Sequence, residues 1–324
     1  MNNWQAFINT HTMVPTDDEY ICDASELGLI LVNGADSESF LQNQLSNDIS
    51  LIDENSFQLS AYSTPKGRML GIFRIVKIET GYLLIMPISI LPTVLQRLQM
   101  YIVQSRVTLA DASAYFARFA IQSSQQTIID NPLLPGKADQ VFQNDDVISL
   151  HLGQINHRSR FLLLNLSFEQ ARSSWQAFSR LLQISSFKSW RLSEIKAGIP
   201  VIFPACTEQF VAQMSNLDLL GGVNFKKGCY PGQEIVARMQ YLGKIKRRMF
   251  LVQLDTGICP EPGDELVYLD SEIPDGGGKV VDAVIDQHGQ CFCLLIAQIK
   301  KIESNQLKLL KQPEIPIKRL DLPY

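Results

Sequence analysis

Between Lys226 and Glu234 the chain reads Lys-Lys-Gly-Cys-Tyr-Pro-Gly-Gln-Glu, a spacing through which no regular helix or strand can run. Gly228 and Gly232 admit backbone angles closed to other residues, and Tyr230 ahead of Pro231 is driven toward an extended conformation. The stretch therefore reads as a tightly shaped loop with a thiol, Cys229, at its middle. A free cysteine is ordinarily a small buried hydrophobe. Glycine, proline and lysine neighbours are not what a buried strand needs, so Cys229 reads instead as a reactive centre. Lys226 and Lys227 precede it, and Gln-Glu-Ile-Val-Ala-Arg-Met after Gly232 reads as a first helical turn, whose positive end favours a thiolate.

The chain has 324 residues, 46% of them hydrophobic and 19% charged, enough to bury a substantial core in two or three domains. Six cysteines, Cys22, Cys206, Cys229, Cys259, Cys291 and Cys293, are too scattered for a disulfide framework or a paired Cys-x-x-Cys metal site. That spacing and the absence of a basic, apolar leader predict a soluble cytoplasmic protein, and no apolar run reaches membrane-spanning length. A formal net charge of −4 argues against a protein that coats nucleic acid. The charge is uneven, however: Lys226, Lys227, Arg238, Lys244, Lys246, Arg247 and Arg248 face the single acid Glu234, a run that serves as a solvated face, an anion site or an RNA surface.

Strand and helix signals alternate without βαβ regularity. Leu27 to Val32 is a short apolar run ending at Asn33-Gly34, and Asp36 stands where a helix N-cap belongs, ahead of Phe40, Leu41 and Leu45. Phe57 to Tyr62, Met69 to Ile78 and Tyr82 to Met86 predict an antiparallel meander turning at Thr64-Pro65-Lys66-Gly67 and at Glu79-Thr80-Gly81. Ser89 is placed to cap a helix carrying Leu91, Val94, Leu95, Leu98 and Ile102. Further strands are expected over Tyr115 to Gln122 and Arg160 to Leu166, and helices over Phe168 to Leu182 and Phe187 to Ala197, the last stopped by Gly198 and Pro200. After the cysteine loop, short strand-like runs separated by Pro-Gly, Asp-Gly-Gly-Gly and His-Gly turns predict an all-β domain, a small barrel. The boundary falls near Gly243, giving a body over 1–243 and a barrel over 244–324.

No dinucleotide fingerprint, Walker loop or His-Glu-x-x-His motif is present, which argues against nucleotide and zinc chemistry. His11, His151, His157 and His288 neighbour neither a cysteine nor paired carboxylates and read as structural or surface residues. Cys291-Phe292-Cys293 puts two thiols on one strand face, but no further ligand pair follows. Trp190, beside Arg191 on a helix, suits either the core or stacking on a flat ligand.

Leu220-Gly221-Gly222-Val223-Asn224-Phe225, followed by Lys226 through Glu234 and Val236-Ala237-Arg238, resembles the signature of the YgfZ family. These are bacterial folate-binding, tRNA-modification-associated proteins that support iron-sulfur enzymes. The likeness extends to Gly34-Ala35-Asp36-Ser37-Glu38 with Leu41-Gln42, to Lys66-Gly67-Arg68-Met69, to Ala197-Gly198-Ile199-Pro200-Val201-Ile202 and to Leu322-Pro323-Tyr324. The family is similar in fold to the glycine cleavage T-protein, a tetrahydrofolate-dependent aminomethyltransferase. The resemblance thus implies an α+β, T-protein-like folate-binding body of mixed helices and antiparallel sheets with a C-terminal β-barrel.

Two positions qualify what carries over. The T-protein's catalytic aspartate follows the glycine turn of its N-terminal body, where this chain has Gly71, so aminomethyl transfer by that mechanism is not expected. Of two tryptophans that family members place toward folate, one is met by Trp190 and the other falls on Leu27. The resemblance implies bound tetrahydrofolate or a one-carbon derivative, with partners among iron-sulfur enzymes such as tRNA-thiolating radical enzymes, and a monomer. Cys229 would be the reactive group and Lys227 its support. Gly228 and Gly232 would shape the loop, Tyr230 would close over a ligand, Gln233 would orient by hydrogen bonding, and Glu234 would cap the loop or pair with Lys227, with Arg238 completing the motif. One-carbon transfer through Cys229, and tRNA binding through Lys244, Lys246, Arg247 and Arg248, are the competing readings.

Overall fold

The computed structural model describes residues 2–271 and 276–324. Asp275, which opens the expected Asp-Gly-Gly-Gly turn, lies outside them. The chain divides into two compact units, one built from 1–40, 49–58 and 73–193, the other from 41–48, 59–72 and 194–324.

In the first unit a six-stranded sheet is ordered Gln183–Ser185, Tyr20–Asp23, Ala117–Ser123, Arg158–Asn165, Val147–Ile155, Val141–Gln143. Tyr20–Asp23 pairs in parallel with Gln183–Ser185, and the other pairings are antiparallel. Its central strands are apolar on both faces because both are covered. Phe119, Phe161 and Ile121 pack with Trp4, Trp175 and Phe178, whereas Tyr20, Ala120, Leu150, Leu162 and Trp190 belong to a second cluster with Leu29 and Leu83. Trp175 and Phe178 come from the helix Phe168–Ser179, which Ser167 caps by accepting the Gln170 N–H at 3.3 Å.

A five-stranded sheet runs Phe57–Ser63, Met69–Ile78, Gly81–Pro87, Leu27–Asn33, Thr108–Asp111, so the expected meander is present. The helix after Gly34 spans only Ser37–Gln42, and Asp36 does not cap it with its side chain. Its carboxylate instead grips Arg106, whose guanidinium and backbone N–H both donate to it. Ser89 is likewise no cap: it lies in a 3-10 turn, Ile88–Ile90, leading into the helix Leu91–Gln99.

In the second unit a six-stranded antiparallel sheet curls into a half-barrel, ordered Leu307–Leu309, Glu265–Tyr268, Gly278–Ile285, Cys291–Gln298, Arg247–Leu254, Ile317–Leu320. Scattered spacing predicted no disulfide, yet Cys259 and Cys291 are joined, their Cα atoms 5.7 Å apart. Cys291 opens its strand opposite Leu254, and the turn after Leu254 returns Cys259 to the same edge. Sequence separation says nothing of that return. Cys293, the neighbouring thiol on that strand, is fully buried. Among the described residues no three histidine, cysteine or acidic side chains converge as a metal site, and no helix is long and apolar enough to cross a membrane.

Candidate functional site

The cysteine loop lies in the second unit and is fixed from four directions. Asn224 Oδ1 accepts the N–H groups of Lys226 at 2.8 Å and Lys227 at 3.1 Å, folding the entry into an Asx turn, while its own N–H donates to Ser46 O at 3.0 Å. Ser46 Oγ donates to Gly222 O at 2.7 Å, and Asn47 Nδ2 donates to Gly221 O and Leu59 O, each at 2.8 Å. Gln233 Nε2 donates to Lys227 O at 3.3 Å, so the residue expected to orient the loop does so from its exit side.

The most consequential of these ties is made by Lys227. Its side chain runs inward, and Nζ donates to the carbonyl oxygens of Gln42 and Leu45 at 2.7 Å and of Asn47 at 2.8 Å. Carbonyls at and beyond the end of the helix Ser37–Gln42 have no intrahelical partner, and an ammonium suits that negative end. Nζ also lies 5.3 Å from the centroid of the Tyr230 ring. Burial pulls the Lys227 amine down to about 8, with Asp48 acting in the opposite direction. An ammonium has three protons. All three are engaged by carbonyls, so Lys227 offers Cys229 no hydrogen bond. It acts as a clamp on the loop.

The second tie is backbone against backbone. Gly67 turns the Thr64–Arg68 hairpin with φ +71°, its N–H donating to Thr64 O at 2.8 Å. Gly232 has φ +85°, and a Cβ there would lie 2.5 Å from Gly67 Cα and 2.7 Å from Thr64 O. Only glycine permits both the angle and the approach. Gly228 differs from expectation: its φ is not positive, and a Cβ would meet nothing within 4 Å. Its bare backbone faces open space beside the thiol.

Within this scaffold Cys229 is exposed, the one free cysteine among the described residues that is. Tyr230 is buried, which pushes its phenol up to about 12, and so it forms the floor of the loop rather than a lid. The helix Gln233–Tyr241 starts directly after Gly232. Glu234 neither caps the loop nor meets Lys227: its carboxylate pairs with Arg238, one turn on, at 2.6 Å. Gln213 Nε2 ties this helix down by donating to Val236 O at 2.7 Å.

The motifs that the sequence scatters are partners in space. Gln42 supplies a carbonyl to Lys227, and the Lys66-Gly67 turn packs on Gly232. Tyr324 donates through its hydroxyl to Gly198 O at 2.9 Å, and a Cβ on Gly198 would strike Leu322 and Tyr324. Asn216 Nδ2 donates to Met249 O at 2.9 Å and reaches the Tyr324 hydroxyl at 3.5 Å. Ser46, Asn47 and Asn216 were not legible as site residues, and Asn224, though inside the signature, was given no role by it. The only signal was a polar run, Ser46-Asn47-Asp48, following an apolar helix, built of side chains apt to bond backbone.

The folate contacts read from the sequence lie in the first unit. Trp190 is 2% exposed and Leu27 is 7% exposed, and both belong to the cluster containing Tyr20, Leu29 and Leu83. The Arg74 guanidinium lies 6.0 Å from the Trp190 ring. A ring so enclosed presents no open stacking face, so these two residues do not fit a folate wall in this conformation.

The architecture resembles the crystal structure of the glycine cleavage system aminomethyltransferase T from Bartonella henselae, with a TM-score of 0.73 over 98% of this chain and 88% of that one, at 14% identity. The fold is therefore of the T-protein type. The tRNA-modifying protein YgfZ of Photorhabdus laumondii is 34% identical over 244 residues, covering 74% of this chain and 73% of the relative. That of Hamiltonella defensa is 32% identical over 270 residues, covering 83% and 80%, and that of Photobacterium profundum 29% over 305, covering 94% and 91%. The chain belongs to the YgfZ family. No family model matches it.

Proposed function

We propose that this protein acts in tRNA modification by maintaining or repairing iron-sulfur enzymes, tRNA-thiolating radical enzymes among them, with the Cys229 thiol as its reactive group. The shared name of its relatives supports the first part of that reading. The observation that carries the second is an exposed thiol on a loop held by Asn224, Gln233 and the three carbonyl bonds of Lys227. A thiol serving only the core would be buried, as Cys22, Cys206 and Cys293 are. Burial raises each of those thiols, which holds it protonated and inert. The thiolate is the form that attacks an electrophile or ligates iron.

Tetrahydrofolate or a one-carbon derivative belongs to the proposal as the ligand that the family resemblance implies. Trp190 and Leu27 are core side chains and offer it no wall in this conformation. Aminomethyl transfer is not proposed, since Gly71 stands where an acid would be required. The test is complementation of a tRNA-thiolation defect by Cys229→Ala and Cys229→Ser. Loss of rescue with retained folding is expected; full rescue by both removes the thiol from the mechanism.

A further inference from the structure

We infer that the surface around Cys229 is a docking site for a single-stranded RNA segment. The inference rests on the reading that this protein acts in tRNA modification, and it deepens that reading by making the contact with RNA direct.

The first observation is aromatic. The helix Gln233–Tyr241 begins beside Gly232 and ends with Tyr241 against Phe225, the residue just before the cysteine motif, their ring centroids 6.2 Å apart and edge to face at 73°. Tyr241 is 68% exposed and the adjoining Leu242 is 85% exposed. Phe225 thus braces one side of a tyrosine that is otherwise largely open to solvent. Nothing in the packing of the unit requires an aromatic there, and an open, braced ring is what a nucleobase stacks on.

The second observation is charge. Lys226, Lys244 and Lys246 are exposed on the same stretch, and the packing of Gly67 on Gly232 brings exposed Lys66 to the loop. None of the four has an ion-pair partner among the described residues. The one acid of the stretch, Glu234, is neutralised by Arg238. A chain with net charge −4 therefore carries exposed lysines without ion partners on the cysteine loop, on the turn packed against it and just past the helix that follows it. Of Arg247 and Arg248, which the sequence placed in an RNA surface, each has a partner within the chain, and only Arg248 is neutralised by one. Arg247 donates to Gly276 O, and Arg248 holds Asp218 with two bonds of 2.5 and 2.9 Å. The surface is thus displaced from the one read in the sequence and gains the aromatic that reading lacked.

The third observation is access. Gly228 adds no side chain beside Cys229, and a Cβ there would meet nothing within 4 Å, so a backbone-sized ligand can approach the thiol closely. Lysines answer phosphates while Tyr241 answers an unpaired base; a duplex presents no base face to it. An acidic peptide would use the lysines and leave the aromatic unused.

The full-length protein should be titrated with a fluorescein-labelled 15-nucleotide single-stranded RNA and with unmodified tRNA transcript at several salt concentrations. Expected is saturable binding whose log-log salt slope is about −2 to −3, as for three to four phosphates on a single strand. Tyr241→Ala should weaken it about 5- to 30-fold, and Lys244→Gln with Lys246→Gln should make the slope shallower by about 1. Circular dichroism should show all variants folded, because the substituted side chains are exposed. Absence of saturable binding at low salt, equal competition by polyglutamate or duplex RNA, or indifference to Tyr241→Ala would each overturn the inference. Cys229→Ser should bind RNA as wild type does. If Cys229→Ala and Cys229→Ser both restore thiolation while RNA still binds, the thiol reading fails and the docking site stands. The reverse pattern removes the docking site alone.

Discussion

Gly232 and Gly67 meet backbone to backbone, closely enough that a single methyl group on Gly232 would lie 2.5 Å from Gly67 Cα. This approach joins the cysteine loop to the Thr64–Arg68 turn across more than half the chain. Gly232→Ala adds both a clash that only backbone movement relieves and a left-handed angle that alanine resists, at a cost of about 2–4 kcal/mol. Gly228→Ala adds a methyl into open space without a positive φ and should stay within about 0.5 kcal/mol of wild type. Urea unfolding midpoints separate the two. Equal effects would show that the loop is not pinned at Gly232.

Lys227 makes its prediction through pH. Its amine is held at about 8 in the folded chain, against about 10.4 in an unfolded one. The folded-state value is the lower, so between those limits the unfolded chain binds more protons, and this group's contribution to stability rises with pH. Stability of wild type relative to Lys227→Met should therefore increase from pH 8 to pH 10, read from denaturation midpoints at fixed salt. Over the same window the clamp loses one of its three donors, so Cys229 alkylation should show a loosening of the loop absent from Lys227→Met. At neutral pH, Lys227→Ala leaves three carbonyls unanswered, and methylammonium or ammonium should restore part of the lost stability by occupying the cradle. No rescue by either cation would mean that the carbonyls do not hold an ammonium.

Much of the fold was legible because its signals are local. Alternation over Phe57 to Tyr62, the apolar run over Met69–Ile78, the helix signal over Phe168–Ser179 and the stop at Gly198 each depend on neighbours in sequence. The site was only half legible for the same reason. Glycine and proline spacing marked the cysteine loop, but the partners of Lys227 are carbonyl oxygens of Gln42, Leu45 and Asn47, which no side-chain pattern records. Asp36 illustrates the general failure: a cap position is a local inference, and Arg106, seventy residues on, offers its carboxylate a charge-assisted, bidentate partner. That pairing holds the Asp36 carboxyl down at about 2.

Arg248 and Arg238 test which cations of the basic run are structural. Arg248 bridges Asp218 twice and donates to Gln213 O at 2.8 Å, with the Asp218 carboxylate almost covered. Arg248→Met strands that carboxylate, at about 2–4 kcal/mol. Arg238 and Glu234 are both well exposed, so Arg238→Gln should cost no more than about 0.5 kcal/mol. Thermal melts in low and high salt check this: only the Arg238 effect should fade as salt is added.

Trp190 separates a core role from a ligand role. It is fully enclosed with Tyr20, Leu29 and Leu83, and truncation to alanine should cost about 3–5 kcal/mol. A loss of tetrahydrofolate binding in Trp190→Ala would then be uninterpretable by itself, since unfolding produces the same loss. Trp190→Phe keeps a ring and most of the volume. If the residue is purely a core side chain, Trp190→Phe should bind tetrahydrofolate within about twofold of wild type by calorimetry, and binding by Trp190→Ala should follow the folded fraction measured by circular dichroism. A tenfold loss in Trp190→Phe with the fold intact, about 1.4 kcal/mol, would show that the first unit opens to let the ligand reach this ring.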